Sequence, residues 1–242
     1  MTTLTLFAAF TLPQQAAAAA PAVNGTYFKG IPMVGTFFAD TASIRTGATA
    51  CTGTVVHSPT RDLVLTAAHC GRPRLFVPQY RYGAPASAQP YGVHRVTALF
   101  TDPAYPRDTD LDIAFARVAT PVEARTGALT LTPTATYTHR VTVIGYPSDP
   151  KVNRHHQPLS CTTSTTRLTG HHQLRMACGG YYGGTSGGPW ITSYNPATRT
   201  GSVIGNTGGY EAGGNVHWIS YAPVYGGRAL ALYTRAVAAG RR

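Results

Sequence analysis

Short apolar runs, each stopped by glycine, proline or a polar cluster, recur along this chain at intervals too brief for long helices. Residues 31–38 predict a first strand. Residues 51–56 predict another, the cluster Ser58-Pro59-Thr60-Arg61-Asp62 a turn, and Leu63-Val64-Leu65 the strand after it. Further strands are expected at 75–77, 91–100 and 112–118, with loops filling the rest of the Pro-, Tyr- and Ala-rich stretch 71–92. Residues 121–133 are expected to cross between two halves. The second half carries strand patterns at 140–147, 159–168 and 173–178, a hairpin of 190–192 with 201–205 around Asn195-Pro196, and a last strand at 217–221. Residues 228–239 are rich in alanine and leucine, with Leu232 and Ala236 four apart, and carry the one clear helix pattern. No internal repeat is visible. Periodicity alone therefore gives an all-β barrel or sandwich plus one helix.

Composition agrees with that pattern. Charged residues make up only 12%, while 26 glycines and 18 prolines supply the turns that many short strands need. A chain of 242 residues can bury a large core as one domain or two small ones. Its four cysteines form an even set with three possible pairings, and paired cysteines imply an oxidising compartment. Residues 1–22 are expected to be a leader: 4–12 form a short apolar core, Ala16 to Ala20 supply small residues, and a cut after Ala19 or Ala22 fits. The segment carries no Lys or Arg ahead of its apolar core, which departs from the usual signal pattern. No later stretch is apolar for long enough to span a bilayer, so the expectation is a secreted protein. Asn24-Gly25-Thr26 matches a glycosylation sequon, a short match given no weight here.

The candidate chemistry lies in Gly183-Gly184-Thr185-Ser186-Gly187-Gly188-Pro189-Trp190. Glycines pressed around one serine make a tight loop, because glycine accepts φ > 0. Such a loop can hold Ser186 at its tip and turn the N–H groups of Gly184 and Ser186 into one small space. An acyl-transfer site needs this pairing of a hydroxyl with donors for a developing oxyanion. An ordinary glycine-rich turn is the plainer alternative. Two other segments favour the chemistry: Thr66-Ala67-Ala68-His69-Cys70, at the end of an apolar run, and Asp112-Ile113-Ala114-Phe115-Ala116-Arg117-Val118. The chain order is His69, Asp112, Ser186, with spacings of 43 and 74 residues. On TAAHC, DIAFARV and GTSGGP the chain resembles the chymotrypsin-like (trypsin-fold) serine peptidases, from about Val34 to its end.

That resemblance implies two six-stranded antiparallel β-barrels with a C-terminal helix. Residues 23–125 would carry His69 and Asp112, and residues 126–242 would carry Ser186. It implies Cys51–Cys70 as one disulfide, which leaves Cys161–Cys178 as the other, each contributing on the order of 3 kcal/mol. In role, Ser186 is the nucleophile and His69 its base. Asp112 orients the imidazole, with Asp108 and Asp110 as rivals, and the N–H groups of Gly184 and Ser186 form the oxyanion hole. Substrate would add as a strand along residues 203–209, with Asn206, Thr207 and Gly208 in contact. Asn206 stands where the family usually has a serine, which puts that triad-supporting hydrogen bond in doubt. The base of the primary specificity pocket falls at Gly180, where no carboxylate argues for Arg or Lys. Tyr181 or Tyr182 is expected to line the pocket, and Gly208 to leave its wall open. Gly205 stands where the glutamyl branch, so aligned, has a histidine, which disfavours Glu weakly. Thr185 replaces the aspartate that pairs with a freed amine in the pancreatic branch. The domain is therefore expected to be competent once its leader is removed, as in bacterial secreted members.

The net charge of +11 is almost all arginine, with Lys29 and Lys151 the only lysines. It allows weak association with anionic cell-wall polymers, but the arginines are scattered and no nucleic-acid motif accompanies them, so solvated surface charge is the simpler reading. The adjacent pairs His155-His156 and His171-His172 lack metal-ligand spacing and are expected to be loop residues. The expected protein is thus a secreted, monomeric serine endopeptidase acting on polypeptide, with no cofactor or metal. The alternatives are an idle binding module of the same fold and an esterase or amidase using the same triad.

Overall fold

The computed structural model describes residues 23–105 and 107–240; the expected leader, residues 1–22, lies outside the described residues. The first half contains β1 (Thr26–Tyr27), β2 (Val34–Phe38), α1 (Thr41–Thr46), β3 (Thr52–Val56), β4 (Leu63–Thr66), β5 (Leu75–Pro78), β6 (His94–Thr101) and β7 (Ala114–Val118). Strands β3-β2-β5-β6-β7-β4 are hydrogen-bonded in that order, and β4 pairs back on β3, so six strands close into a barrel. The core built on it buries Phe37, Val55, Leu63, Leu65, Phe76 and Phe115 fully, with Phe37, Val55 and Phe76 on one face of the sheet and Leu63, Leu65 and Phe115 on the other. Ile31-Pro32-Met33 does not extend the first strand as expected. It forms a turn closed by the Val34 N–H on the Ile31 carbonyl at 3.1 Å.

The crossing expected at 121–133 carries structure of its own, α2 (Glu123–Thr126) and β8 (Ala128–Leu131). The second half continues with β9 (Arg140–Gly145), β10 (Leu159–Ser164), β11 (Thr166–Arg167), β12 (Gln173–Ala177), β13 (Pro189–Asn195), β14 (Thr200–Asn206), β15 (Ile219–Pro223) and α3 (Gly227–Ala238). Strand β8 pairs in parallel with both β14 and β3, which stitches the two halves into one hydrogen-bonded sheet. The single strand expected at 159–168 is broken at Thr165. There the His139 N–H donates to the buried Thr165 hydroxyl at 2.9 Å and not to its carbonyl, while that hydroxyl donates to the Tyr137 carbonyl at 2.8 Å, which interrupts the ladder.

The second core, built from Val141, Val143, Leu174, Met176, Trp190 and Ile204, lies between a sheet containing β9, β10, β13 and β14 and a separate sheet, β11-β12-β15. The Cys161–Cys178 bridge joins β10 to the end of β12, and the Gly208 N–H donates to the Tyr221 carbonyl of β15 at 3.0 Å. These links span both gaps between the sheets. The other disulfide is Cys51–Cys70. Helix α3 returns to the first half, where it buries Ala229, Leu232, Ala236 and Val237 and sets Tyr233 edge-on to Phe115 of β7. Among the described residues, no helix is long and apolar enough to cross a membrane.

Candidate active site

Strand β4 ends at Thr66, and the chain turns through a short 3-10 helix, Ala68–Cys70, that delivers His69. The Cys51–Cys70 bridge ties this turn to the foot of β3. A similar 3-10 turn, Thr109–Leu111, delivers Asp112 at the head of β7. The Asp112 carboxylate is fully buried, a costly position for a charge unless donors surround it. Three do. The backbone N–H of His69 donates to Oδ1 at 2.9 Å, the ring Nδ1 meets Oδ2 at 2.7 Å, and the Gly209 N–H donates to Oδ2 at 2.7 Å. An ionised carboxylate only accepts, so the ring proton sits on Nδ1 and the lone pair of the neutral imidazole on Nε2.

Behind the carboxylate, the Asn206 amide donates to the backbone carbonyl of Asp112 at 3.1 Å, and Tyr225 donates to Asn206 Oδ1 at 2.8 Å. Asn206 thus supports Asp112 through its main chain, while Gly209 N–H reaches the carboxylate itself. The rival acids are occupied elsewhere. Asp108 caps its own turn by accepting from the Asp110 N–H, and Asp110 accepts from the His172 N–H and the Gln173 amide.

The serine loop is held without charge. Thr185 N–H and Oγ1 both donate to the Tyr182 carbonyl, at 3.3 and 2.9 Å, and Gly188 N–H donates to the Thr185 carbonyl at 3.0 Å. Thr185 is buried with its hydroxyl satisfied, so this loop needs no ion pair to hold it. Thr52, also fully buried, is its main anchor. The Thr52 N–H donates to the Ser186 carbonyl and the Thr52 hydroxyl to the Gly184 carbonyl, both at 2.8 Å. The same hydroxyl accepts from the Tyr146 N–H at 2.9 Å. Gly187 (φ 80°) exchanges backbone contact with Thr207, and a Cβ there would strike Thr66 Oγ1 and lie 3.0 Å from the Ala67 nitrogen. The loop therefore packs directly on the residues that lead into His69. Among the described residues, the N–H groups of Gly184 and Ser186 donate to no acceptor.

The residues expected to meet substrate divide into two groups. Tyr181 and Thr207 are interior. The Tyr181 hydroxyl donates to the Val143 carbonyl, while Thr207 spends both backbone groups on the serine loop and its hydroxyl on Trp190 Nε1. Asn206 is fully buried as well. Gly180 and Tyr182 are half-buried and Gly208 is buried, and no described residue donates to the Gly208 carbonyl. Sequence reasoning missed Thr52, Gly209, Tyr225 and His217. The His217 Nδ1 accepts from the Gly180 N–H at 3.2 Å, and its ring stacks on Tyr182 with centroids 4.3 Å apart. Only Thr52, one residue after Cys51, carried any positional signal.

The relation to known proteins follows the same lines. No curated protein matches the chain in sequence. Among solved structures, the protease Anisep from Arthrobacter nicotinovorans superposes with a TM-score of 0.72 at 24% identity, covering 89% of this chain and 100% of its own. A thermostable serine protease, AL20, from an extremophilic microorganism gives 0.69 at 24% identity, covering 86% of this chain and 97% of its own. A Glu endopeptidase gives 0.69 at 16% identity, covering 90% and 99%. The trypsin-like peptidase domain family matches residues 51–205, from the first disulfide cysteine to the penultimate residue of β14. With more than half of the chain matched and this fold around it, the protein belongs to the trypsin-like peptidase domain family.

Proposed function

We propose that the protein is a secreted serine endopeptidase in which Ser186 is the nucleophile, His69 the general base and acid, and Asp112 the group that orients His69. The observation that carries this reading is the buried, triply hydrogen-bonded Asp112 carboxylate on His69 Nδ1, which leaves Nε2 as the ring's basic nitrogen. In the first step Nε2 takes the Ser186 proton as Oγ attacks the scissile carbonyl. The unspent N–H groups of Gly184 and Ser186 stabilise the resulting oxyanion, and losing one such donor typically costs about 3 kcal/mol. His69 then protonates the leaving amine, an acyl-enzyme remains on Ser186, and water activated by the same imidazole releases the acid.

The Gly208 carbonyl is suited to receive an N–H of an extended substrate chain. Gly180 and Tyr182, with His217 behind them, would frame the pocket for the residue before the cut, and the missing carboxylate at Gly180 disfavours Arg and Lys there. Secretion fits the two disulfides and the leader pattern of residues 1–22. Residues 23–125 and 126–242 serve as the two domains, the first supplying base and acid and the second the nucleophile.

The test is cleavage of a peptide library by the purified protein and its Ser186→Ala variant. The wild type is expected to cut with a defined side-chain preference, and the variant to fold with an unchanged unfolding midpoint and no measurable turnover. Turnover by the variant at the wild-type rate would show that another nucleophile does the work.

A further inference from the structure

Residues 28–29, the 80–82 turn and residues 155–158 enclose a cleft of about 360 Å³, at the small end of the range for ligand sites. Its lining includes Lys29, Arg81, His155 and His156 but no carboxylate. Lys29 and Arg81 are exposed, and neither forms an ion pair with any described residue. Tyr82 is 44% exposed and does not swing free. Its ring lies 4.9 Å from that of His156, tilted 35°, and 6.5 Å from that of His155. A flat apolar face is thereby held open at the edge of a cationic cleft.

The loop behind this face shows the costs of a built site. His156 is only 6% exposed, yet its Nδ1 has no hydrogen-bond partner, and its backbone sits at φ 45°, where a side chain with a Cβ is strained. Burial pushes its pKa below the ordinary histidine value, so it enters the cleft as a neutral imidazole and not as a third cation. The conformation is imposed by buried Asn153, whose side chain bonds Pro147, Gln157 twice over, and whose carbonyl accepts from the His156 N–H at 3.0 Å. Gly47 makes room for the ring, since a Cβ there would lie 2.7 Å from His156 Nε2. An orphaned polar atom and a strained backbone, both enforced from outside, are features that unselected surface loops seldom combine.

We propose that this cleft binds an acidic sugar, with the C–H face of the ring on Tyr82 and its anionic substituent between Lys29 and Arg81. The aromatic platform favours a ring over a bare anion or a single acidic side chain. Carboxylate on a uronic acid and phosphate on a sugar share the required chemistry. The proposal is independent of the peptidase reading, because none of these residues belongs to the machinery around Ser186.

Isothermal titration calorimetry on the full chain carrying Ser186→Ala tests it, with trigalacturonic acid, glucose 6-phosphate, inorganic phosphate and neutral dextran as probes. At least one acidic sugar is expected to bind at least about tenfold more tightly than inorganic phosphate, and dextran not to bind. Lys29→Ala with Arg81→Ala should weaken the acidic sugar about tenfold or more. Tyr82→Ala should weaken it likewise, and Tyr82→Phe should not. Which acidic sugar binds more tightly identifies the source of the anion. Equal affinity for the wild type and the Lys29→Ala/Arg81→Ala variant, phosphate binding as tight as that of the sugars, or no binding of either acidic sugar would each overturn the proposal. Unfolding midpoints of the variants, expected unchanged at these exposed positions, exclude misfolding as the cause of any loss.

Discussion

In the first half a buried carboxylate, Asp112, holds His69 through two hydrogen bonds. In the second, Ser186 is placed with no charge at all, by carbonyl contacts to Thr52 and by glycines that leave no room for a Cβ. The two arrangements fail in different ways. A charge fixes a proton's position, so a change there can spare the geometry and still destroy the chemistry. Backbone and steric constraints fix an atom's position, so a change there shifts geometry and stability together.

The sharpest way to break the comparison is Asp112→Asn. The amide is nearly the same size, but it can present an N–H to the ring and reverse the tautomer. Peptide turnover is expected to fall by about 10⁴ with the fold retained. A loss of less than tenfold in initial-rate measurements would mean that the carboxylate does not set the proton on His69.

Thr52→Val is the matching change on the serine side. It removes the donor to the Gly184 carbonyl and the acceptor for the Tyr146 N–H from a buried position. Unpaired buried groups of this kind cost about 1–3 kcal/mol each, so denaturant unfolding should show a loss of that order, with turnover down about 10- to 100-fold. Thr52→Ser keeps the hydroxyl and should restore most of both. If Thr52→Val lost activity with no loss of stability, the steric description of this side would be wrong.

What could be read from the chain follows the same division. The serine loop was legible because its glycines announce backbone needs that only glycine meets, at Gly184 and Gly187 above all. His69 and Asp112 were legible because each sits at the edge of an apolar strand. The partners that finish the site were not. Gly209 lies 97 residues from Asp112 and Thr52 lies 132 from Gly184, so the sequence does not show what either one holds, while Asn206, 94 residues from Asp112, is marked only by the family resemblance. The family resemblance places Asn206 and Thr207 on the substrate edge, and in the structure both side chains are buried. In the fold, alternation gave most strands, but the two-residue β1 and the parallel β8 have no periodic signature. Their existence depends on the partners that pair with them.

A smaller effect separates this charge-dependent chemistry from the rest of the first barrel. Burial holds the pKa of His94 below its ordinary value of 6.5, with Thr120 and the Tyr91 carbonyl as its ring partners. His156 is shifted in the same direction by the same cause. Below about pH 6.5 the unfolded chain binds protons that these folded imidazoles refuse, so stability is full above that pH and falls as pH drops toward the folded values. Thermal unfolding between pH 7 and pH 5 should show a declining midpoint, and His94→Gln should flatten it. A change of 1 kcal/mol corresponds to about 2–4 °C in a chain of this size. An acid-side slope unchanged in His94→Gln would remove His94 from this account.

The central claim is that the imidazole of His69 activates the hydroxyl of Ser186. Fluorophosphonate labelling followed by peptide mapping tests it directly. The account predicts one adduct, on Ser186, formed rapidly in the wild type and suppressed by orders of magnitude in His69→Ala. An adduct on another residue, or labelling of Ser186 at the wild-type rate in His69→Ala, would contradict it.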